Sequence, residues 1–342
     1  MDKRVIFAVA GAGKTTHIIN SLSRDKRALI VTYTENNYNH LRQCVLKKFG
    51  ESPENITVVT YFTFLYSFCY KPFLHDKMKS KGIYWKTPPP ATFRFPRNRM
   101  DFYQDSSGRL YYNRIAKLIE QQGVVEHVTT RIEKYYDQFF VDEVQDFGGN
   151  DFNLLKRFCS SNVDINFVGD FFQHTFDTST DGRTNLHLYD DFESYQKHFG
   201  DEGLEIDTTS LSHSHRCTPQ VCGFIKKHLG IDIGSHKEEE SEVQLITDKR
   251  RIDEIYRCED TVKLFFQKHY EFDCLSQNWG KSKGQDHYID VCIALYPAAI
   301  TAFKKNSLNA LPASSRNKLY VACTRANRNI YFVEQKHLNK LK

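Results

Sequence analysis

The chain of 342 residues lacks the features that mark several classes of protein. No apolar run approaches the ~20 residues of a membrane span, and mean hydropathy is −0.56. An integral helical membrane protein and a membrane partner are therefore not expected. The opening MDKRVIFAVAGAGKTT interrupts its apolar stretch with glycine and lysine before reaching signal-peptide length, so a cytoplasmic location is expected. The nine cysteines are odd in number and form no Cys-x-x-Cys pair, which argues against a disulfide framework or a zinc ribbon. Buried, reduced thiols are the ordinary expectation. A metal cluster of His213 and His215 with Cys217 and Cys222 is the alternative. With 40% hydrophobic and 26% charged residues, wholesale disorder does not fit either.

The net charge is a modest +5, but it is unevenly placed. Between Lys71 and Arg114 stand ten Lys/Arg and three acids, leaving the rest of the chain at −2. Tyr84, Trp85, Phe93, Phe95, Phe102, Tyr103, Tyr111 and Tyr112 are interleaved with those cations. Cations hold phosphates and rings stack on bases, so the mixture suits single-stranded nucleic acid, with Arg94, Arg97 and Arg99 as contacts. The ordinary alternative is an insertion whose rings form its own core while its cations face water.

Apolar runs at 4–10, 28–33 and 56–60 read as strands, with helices at 14–23 and 36–49 between them. This alternation predicts a parallel sheet with helices on both faces. Residues 66–124 break the pattern, and alternation returns at 138–141, 150–160 and 165–168. The polar stretch 178–203 reads as a surface loop. A second alternating block from 206 has its clearest strands at 243–247, 288–295 and 330–333. The expected organisation is a first α/β domain from 1–65 with 125–205, an inserted basic and aromatic subdomain at 66–124, and a second α/β domain at 206–342.

Ala8 to Thr15, with Gly11, Gly13 and Lys14, lies between a strand and a helix, the context of a Walker A loop. Backbone N–H groups of Ala10, Gly11, Ala12 and Gly13 would cradle phosphates at a helix N-terminus. Lys14 would neutralise the β- and γ-phosphates, with Thr16 beside it, and Thr15 would ligate Mg²⁺. Ala8 replaces the first glycine of the usual pattern. Phe139 to Asp146 supplies a buried strand ending in acids. Asp142 would hold Mg²⁺, and Glu143 would orient and deprotonate the attacking water.

Asp142-Glu143-x-Gln145-Asp146 is more specific than a generic acidic turn. With the remaining segments, in order along nearly the whole chain, it resembles the UvrD/Rep-like branch of superfamily 1 helicases. Thr32-Tyr-Thr34-Glu-Asn36 resembles motif Ia and Thr60-Tyr-Phe-Thr-Phe motif Ib, both strand contacts in that family. Val168-Gly-Asp-Phe-Phe-Gln173 is similar to motif III, whose glutamine reads the γ-phosphate. Ser214-His215-Arg216 resembles motif IV, Lys283-Gly284-Gln-Asp286 motif V, and Tyr320-Val-Ala-Cys-Thr-Arg325 motif VI. The resemblance implies two RecA-like P-loop NTPase domains with ATP and Mg²⁺ between them. Lys14, Asp142, Glu143, Gln173, Arg216 and Arg325 would be catalytic, and Lys283, Gly284 and Asp286 would line the nucleotide. A DNA strand would run over Thr32, Thr34, Asn36 and Thr60. Movement would be 3′ to 5′.

The departures are specific. An adenine-reading glutamine precedes the first strand in that family, and this sequence opens at the strand itself, which predicts base selectivity that is either relaxed or supplied elsewhere. His215 stands where a tyrosine stacks on adenine. The usual tryptophan after motif III is Thr178, with Phe176 as the nearest ring. Only 64 residues separate Arg216 from Lys281, too few for the large second insertion. These losses favour hydrolysis over strand separation. Compact relatives stand beside OLD-like nucleases in Gabija-type anti-phage systems, so a non-unwinding, nucleotide-hydrolysing sensor of DNA ends with a nuclease partner is the second expectation. A P-loop kinase is the third, although a kinase has no use for motifs IV to VI.

Overall fold

A computed structural model describes residues 1–176 and 178–341. It is α/β throughout, with parallel sheets flanked by helices as expected, and it divides into two compact units. The first holds 1–6, 15–169 and 176–207; the second holds 7–14, 170–175 and 208–342.

The first unit is built on a six-stranded sheet. Its strands are β1 (Lys3–Phe7), β2 (Ala28–Thr32), β3 (Ile56–Thr60), β6 (Gln138–Asp142), β7 (Asp164–Gly169) and β8 (Glu205–Asp207), in the order β3-β2-β6-β7-β1-β8. β1 pairs with β8, β2 with β3 and β6, and β6 with β7, each in parallel. Every residue of β2 and β6 is buried, which is why both carry consecutive apolar residues, Ala28–Val31 and Phe139–Val141, rather than an alternating pattern: helices cover a parallel sheet on both faces. The helix Glu35–Phe49 is stopped at both ends by local chemistry. Thr34 accepts from the Asn37 N–H, and Gly50 closes the other end in a left-handed conformation.

Residues 64–78 continue as helix, first of π type at Phe64–Tyr70 and then α at Lys71–Met78. Phe64 anchors this stretch to the sheet, its ring 5.8 Å from both Phe139 and Phe158. Two short strands, β4 (Gly82–Tyr84) and β5 (Arg109–Tyr111), pair in parallel within the insertion. The stretch expected to loop over the surface does not do so throughout. Thr178, Ser179 and Asp181 are buried, and Phe192–Gly200 is a helix that buries Tyr195 and Phe199. Backbone polar groups at 178–181 find partners inside the protein, which is what permits polar residues to go there.

The second unit holds a five-stranded sheet and a small ribbon. The ribbon pairs β9 (His213–Ser214) with β10 (Gly234–Ser235). The sheet contains β11 (Val243–Ile246), β12 (Thr261–Phe265), β13 (Ser276–Asn278), β14 (Asp290–Leu295) and β15 (Ile330–Glu334), in the order β11-β15-β14-β12-β13. Alternation along β14 divides its side chains between two cores. Val291, Ile293 and Leu295 join one cluster, and Cys292 and Ala294 the other. Lys263, in the fully buried β12, is 1% exposed and donates to the Cys258 carbonyl at 2.5 Å. Burial pulls its pKa below the usual lysine range. No helix among the described residues is long and apolar enough to cross a membrane.

Candidate functional site

At the end of β1 the chain enters the glycine-rich loop. Gly11 and Gly13 take φ +71 and +87, values that cost a residue with a Cβ ~1–2 kcal/mol. Ala8 is not among the positive-φ residues, so alanine fits where the usual pattern has glycine. Ala8, Ala10 and Ala12 are buried in the core of the second unit. Gly11 is constrained twice. A Cβ there would lie 2.8 Å from Arg216 Cβ and 2.8 Å from Ser214 Oγ. The His215 N–H also donates to the Gly11 carbonyl at 3.0 Å. The loop and the Ser214–Arg216 segment are thus in contact, although two hundred residues of sequence lie between them.

A second link comes from Tyr320, to which sequence reasoning gave no role. Its hydroxyl accepts from the Ala10 N–H at 3.0 Å and donates to Asp170 Oδ2 at 3.0 Å. Tyr320 is fully buried, and burial raises its pKa well above the tyrosine range. Asp170 also caps the turn that carries Gln173, accepting from the Phe172 N–H at 3.1 Å. Gln173 itself is buried.

Two arginines of the second unit converge on one carboxylate. Arg216 Nη2 lies 2.5 Å from Asp286 Oδ2, and Arg325 Nη1 2.6 Å from Asp286 Oδ1. Arg216 also donates to the Thr324 carbonyl, and Arg325 to the Val321 carbonyl. Arg325 is 1% exposed. Burial, then the Arg216 charge, push its pKa down to about 10, while Asp286 opposes them. It stays protonated at neutral pH. Asp286 is held by Asn327, which donates to its backbone carbonyl at 2.9 Å. An acid here orients guanidiniums, which the motif alone did not reveal. Gly284 follows Lys283 with φ +81, and the turn before them is fixed by the buried Ser282 and Trp279.

In the first unit, Asp142 ends β6 and is buried. Glu143 follows with φ 58 and ψ 48, a left-handed conformation rare for a residue with a side chain. Such strain persists where the surroundings over-determine it. The Glu143 side chain is engaged as well, Gln145 Nε2 donating to Glu143 Oε2 at 2.5 Å. Gly169 leaves room for that glutamine, because a Cβ at 169 would sit 2.3 Å from Gln145 Oε1. Sequence reasoning gave Gln145 no contact with Glu143, and the structure shows one. Nearby, Asp151 is fully buried. Burial pushes its carboxyl up to about 6, partly offset by the hydroxyls of Thr178, Tyr61 and Ser179.

Among the described residues no group of three or more His, Cys, Asp or Glu forms a cation cage. Mg²⁺ does not require such a cage, since that ion is commonly held by one or two protein oxygens completed by substrate phosphates and water. The histidine–cysteine cluster does not form. The thiols of Cys217 and Cys222 point to the carbonyls of Thr324 and Gly234, whereas the exposed His213 and His215 rings lie against His236, at 5.3 and 4.2 Å.

The expected strand contacts take varied positions. Thr32 is fully buried and Asn36 is exposed. The hydroxyls of Thr34 and Thr60 accept from the N–H groups of Asn37 and Thr63, so both threonines cap helices that start after β2 and β3. Phe176 lies 5.6 Å from the Tyr33 ring. Arg94 and Arg97 are exposed, while Arg99 pairs with Asp101 at 2.5 Å.

No family model matches the chain, and no curated protein matches it. Solved structures do. The chain is similar to the PRRSV helicase (TM-score 0.49, 15% identity), with 97% of this chain covering 52% of that one. It is also similar to Arterivirus nonstructural protein 10 (helicase), solved with DNA (TM-score 0.48, 14% identity, 97% of this chain and 61% of that). A further structure of the same helicase matches at TM-score 0.48 and 15% identity, over 97% of this chain and 59% of that. The chain thus spans between half and two thirds of the length of these structures.

Proposed function

We propose that this chain is a minimal nucleoside triphosphatase of the helicase or translocase type, hydrolysing ATP with Mg²⁺ under the control of single-stranded or end-containing DNA. One observation carries the reading: in the second unit, the loop at Gly11 contacts Ser214–Arg216 and is tied through Tyr320 to Asp170, while Arg216 and Arg325 share the Asp286 carboxylate. An ordinary surface has no need to pair two guanidiniums, one fully buried, around a half-exposed acid. A site that must receive and release phosphate charge does.

In this reading Lys14 and the N–H groups of Gly11 and Gly13 hold the triphosphate, the Ala10 N–H being engaged by Tyr320 and the Ala12 N–H by the Val9 carbonyl, and Thr15 and Asp142 would hold the ion, which would supply charge neutralisation at the phosphates. Glu143, aimed by Gln145, positions and deprotonates the attacking water. Arg216 and Arg325 stabilise charge developing on the γ-phosphate. Gln173, on the turn capped by Asp170, reports the state of the phosphate site through Tyr320. The strand lies over Thr34, Asn36 and Thr60, with 3′-to-5′ movement.

A second reading, a non-unwinding effector that partners a nuclease, is favoured by the use made of residues 217–280. They are spent on the helices Pro219–Leu229 and Lys249–Arg257 and on β10 to β13, all within the second unit. ATP hydrolysis with and without single-stranded DNA, followed by displacement from a tailed duplex, tests both. Stimulated hydrolysis without displacement selects the effector. Lys14→Ala, Glu143→Gln and Arg325→Ala should each abolish hydrolysis, and full activity in Arg325→Ala refutes the site.

A further inference from the structure

A pocket of about 550 Å³ opens in the first unit, lined among others by Phe93, Phe95, Arg97, Phe102, Asp181 and Arg183. Its base is built by tertiary contacts. Arg114 is fully buried, its Nε donating to Asp181 Oδ1 at 3.0 Å and its Nη1 to the Thr92 hydroxyl at 2.9 Å and the Phe102 carbonyl at 2.6 Å. The guanidinium carbon lies 3.9 Å from the Phe102 ring centre and 4.7 Å from that of Phe93. The Asn113 amide donates to the Thr180 carbonyl at 2.8 Å. Gly182, at φ +66, leaves the Phe93 ring 3.6 Å from where its Cβ would stand. Two segments nearly seventy residues apart are thereby locked into one wall.

The lining selects its occupant. Phe93 is held by Arg114 and Gly182 yet remains 50% exposed, which makes it a fixed stacking surface. The Asp181 side chain is 7% exposed. It offers carboxylate oxygen to a donor hydrogen, having engaged Arg114 through Oδ1. Arg97 and Arg183 are exposed at the lining and suit phosphate. A lipid tail has no use for that carboxylate and those cations, and a bare anion needs neither the rings nor the carboxylate. We propose that this pocket binds one nucleotide: a nucleobase stacked on Phe93 with an N–H toward Asp181, and its phosphate on Arg97 and Arg183. The nucleotide is either a residue of the bound strand or a free mononucleotide. The proposal deepens the strand-binding part of the function above, and its volume is within the range of small-molecule sites.

The test uses the full chain without triphosphate. Fluorescence anisotropy compares a labelled single strand, a matched abasic strand and AMP on the native chain, Phe93→Ala and Arg183→Ala, with circular dichroism checking that each variant is folded. Phe93→Ala should weaken the intact strand by roughly 5- to 100-fold, the range of one stacked base, and leave the abasic strand unchanged. Arg183→Ala should weaken intact and abasic strands alike and reduce the salt slope by about one. If AMP binding shows the same dependence on Phe93 and Arg183 while the strand does not, the occupant is the free nucleotide. If neither strand nor AMP loses affinity in Phe93→Ala, the proposal is overturned. Lys14→Ala, taken through the same titration, should bind like the native chain. A pocket intact in a chain that hydrolyses no ATP separates failure of the function from failure of this site.

Discussion

Replacing Asp286 with asparagine isolates the convergence on which the proposed function stands. The variant keeps the size of the side chain and removes the charge shared by Arg216 and Arg325 at 2.5 and 2.6 Å. Stripping one partner from a fully buried ion pair costs about 3–5 kcal/mol, whereas an exposed pair contributes about 0–1 kcal/mol. Here the guanidinium of Arg325 is 1% exposed and the carboxylate 53%, so the loss should fall between these limits, near ~2 kcal/mol. For a unit of this size that corresponds to a fall in Tm of about 4–8 °C. The same substitution leaves two cations facing a neutral amide. A non-hydrolysable triphosphate no longer competes with the internal carboxylate, and should bind up to about thirtyfold more tightly than in the native chain. Differential scanning fluorimetry across a triphosphate titration reads both effects, since ligand protection grows with the logarithm of concentration over Kd. An unchanged Tm together with an unchanged triphosphate shift would refute the claim that these arginines form an anion seat held by Asp286.

Three further outcomes are expected. Gly11→Ala should cost about 2–4 kcal/mol, from left-handed strain plus contact with Arg216 and Ser214, while Gly50→Ala, at φ +77 with nothing within 4 Å, should cost only the strain of about 1 kcal/mol; equal losses by chemical denaturation would remove the close approach. Asp151, with its carboxyl pushed up to about 6, binds its proton more tightly folded than unfolded. Its contribution therefore falls as pH rises from about 4 through 6, and Asp151→Asn should be more stable than the native chain at pH 7.5 by about 1–3 kcal/mol, with the gap closing toward pH 4; a pH-independent gap contradicts this. Neutralising Arg94, Arg97 and Arg99 together should flatten the salt dependence of single-strand binding by a slope of about two to three, and an unchanged slope in anisotropy titrations assigns those cations to solvent.

Legibility followed the range of the forces involved. β2 and β6 could be read because every residue in them is buried, and consecutive apolar residues such as Ala28–Val31 and Phe139–Val141 are what a strand covered on both faces requires. β12 was not read, because Thr-Val-Lys-Leu-Phe carries a lysine at its centre; only the Cys258 carbonyl and the neighbouring strands make Lys263 tolerable there. The segment after motif III looked like a surface loop on polarity alone. Arg114 and Asn113 draw it inward through Asp181 and Thr180.

The amino-acid sequence by itself determined the glycine-rich loop, the acidic strand end and the alternation that builds parallel sheets, because each depends on residues within a few positions of one another. It did not determine that Asp286 would clamp two arginines, that Tyr320 would join Ala10 to Asp170, that Gln145 would donate to Glu143, or that Arg114 would tie Asp181 to Thr92 and Phe102. Those are decided by which distant side chains the folded backbone brings within hydrogen-bonding distance. Their strength comes from burial, which no local stretch of sequence records.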